Sequence, residues 1–145
     1  MRRVRDDPGL TGAEKLRRMF RTSLGDGDQT ALFALAPNML KNPKLMVILL
    51  ESMMGDVLPN YMEPVLREAV ADGSVRTDYP EELGELLLLL ANVWLNPMIY
   101  PATPEKTRRR MELFDQMLRS MGLDLLDRDL LDQWERYCRV SQDRL

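Results

Sequence analysis

Histidine does not occur in these 145 residues. Its absence removes the usual general base, the commonest metal ligand and the side chain that titrates near neutral pH. Cysteine occurs once, at Cys138, which excludes an internal disulfide and fits a reducing compartment. Long apolar runs are also missing. A bilayer span needs about 20 consecutive apolar residues, whereas Leu86 to Leu90 is preceded by Glu81, Glu82 and Glu85 and followed by Asn92 and Asn96. The opening MRRVRDDPGL has basic residues with no apolar stretch behind them, so no secretory signal is read and the expected location is cytoplasmic. No segment alternates apolar and polar residues for long, so no strands are expected.

What remains is helical. Apolar residues make up 45% and charged residues 30%, the composition of a soluble globular domain. A chain of this length suits one domain that buries roughly 70% of the surface its unfolded form exposes. The net charge of -3 is unevenly spread. Up to residue 21 there are seven basic side chains (Arg2, Arg3, Arg5, Lys15, Arg17, Arg18 and Arg21) against three acidic ones (Asp6, Asp7 and Glu14), a local +4. A basic end on an acidic body fits either proximity to nucleic acid or a solvated helix face.

Thr11 with Glu14 three residues on makes a capping box, and Leu16, Met19, Phe20 and Leu24 mark one face of a first helix, ended by the GDGD at 25–28. A second helix is read from Gln29 through Leu32, Leu35, Met39 and Leu40, bent by Pro37. Asn42 and Pro43 open a third, and LPNYMEPVLREAVADGS is a fourth, entered near Pro59 and stopped by Gly73 through positive φ. Asp78 is placed to cap a helix from Pro80 toward Asn96, Thr103 and Pro104 open another that Gly122 closes, and a last one runs from Asp127 with Leu130, Leu131, Trp134, Tyr137 and Cys138 on one stripe. The expected fold is an all-α bundle of about six or seven helices.

One helix carries too much leucine. Leu86, Leu87, Leu88, Leu89 and Leu90 follow one another at 100° steps and point all round the cylinder, where a surface helix needs one apolar stripe. Either it is the central helix of a monomer, or a second copy of the chain covers its outer face, four helices packing across a twofold axis.

The strings LKNPKL and DGSVRTDYPEELGELLLLLANVWLNP and the helix that follows resemble the C-terminal ligand-binding and dimerisation domain of the TetR family of transcriptional regulators. The similarity runs from about Leu10 to about Leu123 and is best from Asp72 to Pro97, leaving 124–145 as an extra C-terminal helix packed on the same domain. The resemblance implies an all-α domain whose last two major helices build a four-helix dimer interface, with Leu86, Leu90, Met111, Phe114, Leu118 and Met121 as interface candidates. It also implies a small-molecule cavity among the middle helices. Met46, Leu50, Met53, Met54, Met62 and Met98 lie on the helices that would line it, and thioethers suit a pocket for mostly apolar ligands as well as plain core filling. Tyr61, Asn92 and Trp94 are polar or amphipathic groups on helices expected to be buried. For Asn92, ligand contact, interhelical hydrogen bonding and helix-end capping stand side by side, while Asn96 reads as part of a helix stop.

Members of that family carry an N-terminal helix-turn-helix that reads the major groove. Here only about ten residues precede the first matching helix, so sequence-specific DNA binding by these residues is not expected, and the basic segment from Arg2 to Arg21 would face the absent head. The implied role is a homodimeric effector-sensing domain. The alternative is a ligand-free module that pairs with a full-length regulator and blocks it. Catalysis is not expected: Glu81, Glu82 and Glu85 fall where a helix dipole favours negative charge, Asp124, Asp127 and Asp129 read as caps or a solvated face, and Cys138 has no histidine to activate it. RRRMELF at 108–114 reads as a solvated edge. No phosphate loop, metal-ligand spacing or cofactor motif is present, so neither metal nor cofactor is expected.

Overall fold

A computed structural model describes residues 1–25, 41–96 and 99–142, the side chains at 23–25, 137, 138 and 140–142 excepted. The expected second helix with Pro37, the Pro97–Met98 pair and the side chains of Leu24, Tyr137 and Cys138 lie outside the described residues. The elements are α1 (Arg2–Arg5), α2 (Gly12–Gly25), α3 (Pro43–Ser52), a π-helix π1 (Met53–Met62), α4 (Glu63–Ala71), α5 (Pro80–Leu89), a second π-helix π2 (Leu90–Trp94), α6 (Pro104–Arg119) and α7 (Arg128–Gln142). All are helical, and among the described residues there are no strands and no helix long and apolar enough to cross a membrane.

The helix ends follow local chemistry. Thr11 Oγ1 accepts from the Glu14 N–H (3.2 Å) and Glu14 returns a carboxylate oxygen to the Thr11 N–H (2.8 Å), the reciprocal pair expected from the two residues. Thr103 Oγ1 accepts from the Lys106 N–H, and Asp127 Oδ1 from the Leu130 N–H. Gly73 and Gly122 take φ of 79° and 82°, the left-handed conformation that turns the chain out of α4 and α6. Tyr79, not Asp78, occupies the N-cap of α5, where its own N–H donates to Thr77 Oγ1 and Asp78 makes no cap.

The expected third and fourth helices are one continuous rod. Through π1 the backbone stays right-handed at both junctions, with φ and ψ of -63° and -49° at Met53 and -60° and -48° at Glu63. Gly55, Pro59 and Pro64 lie in or beside that stretch. Proline has no N–H and crowds the carbonyl four residues back, and the wider π winding carries the chain past that crowding instead of breaking it. Pro64 has no N–H to give this turn, and Arg5 Nη1 donates to the Asn60 carbonyl at 2.9 Å. The Arg5 guanidinium also lies over the Tyr61 ring, 5.5 Å from its centroid, so α1 is fastened to π1.

One core runs through the bundle. Leu16 and Met19 from α2, Val65, Leu66 and Ala69 from α4, Leu83 and Leu87 from α5, Met111, Phe114 and Leu118 from α6, and Leu130 and Trp134 from α7 belong to a single buried cluster. The Phe20 and Phe114 rings meet at 6.0 Å between centroids. α2 crosses α4 so closely that a Cβ added to Gly12 would lie 2.3 Å from Ala69 Cα. Next to that crossing the Lys15 ammonium is buried and reaches both carboxylate oxygens of Glu68 at 2.8 Å.

Candidate functional site

Six of the eight side chains expected to contact a ligand sit on the two π-helices: Met53, Met54, Tyr61 and Met62 on π1, and Asn92 and Trp94 on π2. Long π stretches are rare, and short ones concentrate at functional sites. The structure nevertheless divides these residues. Met53 and Met62 point into the core cluster and Tyr61 lies under Arg5. Met54 is exposed, and Met46 and Leu50 on α3 are half-buried. The Asn92 Nδ2 donates to the Leu88 carbonyl (2.9 Å) four residues back on its own helix. A side chain entering the ladder displaces backbone bonds, and the wide winding of π2 begins at that turn.

Trp94 joins residues that no motif marked. With Tyr100, Lys106, Arg109, Arg110 and Leu113 it lines an open depression of about 490 Å³ between the end of π2 and the first turns of α6. Arg110 builds the corner. Its Nη1 donates to the carbonyls of Trp94 (3.3 Å) and Tyr100 (3.1 Å), and its guanidinium lies 5.8 Å and 4.6 Å from the two ring centroids. The arginine triplet is thus not one solvated edge. Arg108 turns the other way, to Glu135 of α7 at 2.6 Å. Hydrogen bonds from Arg139 and Arg108 hold the Glu135 carboxyl below the usual carboxylate range. Within the triplet the discriminating signal is helical phase, which the apolar stripe on α6 sets.

The interface candidates differ in burial. Met111, Phe114 and Leu118 are buried in the chain's own core, and Leu90 and Met121 are half-buried against the same cluster. The apolar residues left bare are Leu86 (40% exposed) and Leu89 (47%) on α5, and Leu113 (50%) and Met117 (38%) on α6. The last two are spaced by four and form one strip. The stripe of 111, 114 and 118 is buried in the cluster it shares with residues of α2 and α7, the latter a helix beyond the span on which the family expectation rested. Leucine on α5 is divided in the same way, with Leu83, Leu87 and Leu88 inward and Leu86 and Leu89 outward.

The basic N-terminal segment is largely neutralised by the chain itself. Lys15 meets Glu68, Arg5 meets Asp6, Arg17 lies 3.7 Å from Asp124, and Arg21 pairs with Asp127. Among the described residues no three His, Cys, Asp or Glu side chains gather as a metal-binding group. No protein-family model, no curated protein and no solved structure matches the chain.

Proposed function

We propose that this chain is the effector-sensing and dimer-forming module of a transcriptional regulator of the TetR kind, acting as a homodimer. The observation that supports it is the bare apolar surface on α5 and α6, Leu86 and Leu89 on one helix and Leu113 and Met117 on the other. An isolated exposed leucine needs no explanation, but bare apolar residues recur on each of two helices, and their burial by a second copy is favourable at about 25 cal/mol per Å². The proposed effector is small and mostly apolar. Half-buried Met46 and Leu50 and exposed Met54 supply pliable surface for it along the α3–π1 rod. Effector binding shifts the dimer between two arrangements only by its differential affinity for them. DNA contact belongs to a helix-turn-helix that these residues do not contain.

Light scattering tests the reading. The wild-type chain is expected to have the mass of two copies, and Leu89→Glu with Met117→Glu, both at exposed positions, to have the mass of one with unchanged helicity. A wild-type monomer at the highest soluble concentration, or a dimer that survives both glutamates, rejects it. Stabilisation by a member of a panel of apolar compounds in thermal melting is the expected sign of the effector.

A further inference from the structure

Two other arginines of the fold, Arg5 and Arg119, present their side-on edge, Nε with Nη2, to the protein's own carboxylates. Arg5 places Nε and Nη2 on the two oxygens of Asp6 at 2.7 and 3.1 Å, and Arg119 reaches Asp115 with Nε at 2.8 Å and Asp124 with Nη2 at 3.1 Å. Arg110 does the opposite. Its Nη1 is engaged by two backbone carbonyls and its guanidinium lies over two aromatic rings, yet among the described residues Nε and Nη2 meet no acceptor. That edge carries the two parallel N–H groups that match a carboxylate. Because its rotamer is already set, little side-chain freedom remains to be lost on binding.

The surroundings point the same way. Lys106 and Arg109 line the same depression, and among the described residues neither has a carboxylate within ion-pair distance. The nearest acids along α6 are Glu105, which does not line the depression, and Glu112, which faces Arg108 at 3.7 Å. Three uncompensated cations thus share one hollow on a chain whose net charge is -3. The rest of the lining is Trp94, Tyr100 and Leu113, a platform for a flat apolar body.

We propose that this depression binds a small aromatic carboxylate. The carboxylate lies on the Nε–Nη2 edge of Arg110, Arg109 and Lys106 add attraction, and the ring rests against Trp94, Tyr100 and Leu113. The inference stands apart from the dimer reading: a monomer that binds the carboxylate keeps it.

Calorimetric titration of the full chain tests it, with naphthalene-2-carboxylate as probe and 2-naphthamide, inorganic phosphate and a short single-stranded oligonucleotide as comparisons. The carboxylate is expected to bind at least ~10-fold more tightly than the amide, as a charge-assisted bidentate contact requires. Lys106→Gln with Arg109→Gln should weaken it ~10-fold or more without moving the thermal midpoint, and Arg110→Lys should weaken it while keeping the charge. The surface pair keeps the test valid where Arg110→Lys also loosens the corner. Equal affinity for the amide, or unchanged binding in the surface pair, overturns the proposal. So does phosphate binding as tightly as the carboxylate, which would leave the rings without a part. Oligonucleotide binding sensitive to the same substitutions, with none of the carboxylate, overturns it in favour of a nucleic-acid surface.

Discussion

The α2–α4 crossing and the π2–α6 corner both concentrate positive charge, and they use it in opposite ways. At the crossing, Lys15 and Arg17 lie on a helix whose neighbours hold Glu68 and Asp124, and each cation has an anionic partner. At the corner, Lys106, Arg109 and Arg110 have none among the described residues, and Arg110 is held by carbonyls and rings instead. Charge that is matched inside the chain serves the fold. Charge that is fixed in position and left unmatched is available to something outside it, since exposed cations set close together gain nothing for the native state on their own.

The contrast makes substitutions at the crossing costly and those at the corner nearly silent. Gly12→Ala is expected to have the largest effect. Its Cβ would press on Ala69 Cα and N, both 2.3 Å away and both backbone of a buried helix face, so no side chain can yield. A loss of about 3 kcal/mol or more in urea denaturation is expected, at the upper end of overpacking penalties. A wild-type midpoint would mean that the two helices do not approach this closely.

Glu68→Ala ranks next. It strands a buried ammonium, and breaking a fully buried pair costs about 3–5 kcal/mol. Here the Glu68 side chain is 42% exposed, so about 2 kcal/mol is expected. Adding Lys15→Met should recover most of the loss. A double variant no better than the single one would show that Glu68 acts by something other than its partner.

The smallest effect at the crossing is set by pH. The Gly12 N–H donates to Asp72 Oδ2 at 2.7 Å and the Ser74 N–H to Oδ1 at 2.8 Å, and these bonds, Gly12 first, hold the Asp72 carboxyl below its ordinary value. A lowered folded-state value stabilises above the unfolded pKa, near 4, and the contribution disappears as pH falls through the folded value. Asp72→Asn should therefore be less stable by up to about 1 kcal/mol at neutral pH, with the gap closing below about pH 4. A gap of constant size across that range would remove the charge from the explanation. Lys106→Gln with Arg109→Gln completes the series, with stability unchanged within about 0.5 kcal/mol.

The helix boundaries were legible because their causes lie within a few residues. Thr11 with Glu14, Thr103, Asp127, Gly73 and Gly122 each act on backbone groups one turn away, and each stands where the sequence placed it. The continuous rod through π1 was not legible. Pro59 read as the entry to a separate helix, whereas the chain runs on through it in a wider winding, with Arg5, more than fifty residues away in sequence, donating to the Asn60 carbonyl. The depression was also hidden. Trp94 alone of its lining was singled out, and Lys106, Arg109 and Arg110 looked like any solvated run.

The sequence alone determined that the chain is all-helical, where most of its described helices begin and end, and that α5 holds more leucine than one face can use. These are short-range matters of spacing, capping and the absence of strand periodicity. Tertiary structure decided which stripe of α6 turns inward, since Met111, Phe114 and Leu118 join the common core while Leu113 and Met117 stay bare. It also decided why Gly12 must lack a side chain and which arginine of the triplet keeps an unpaired edge. Such outcomes depend on atoms brought together from distant parts of the chain, and helical phase alone does not say what a face will meet.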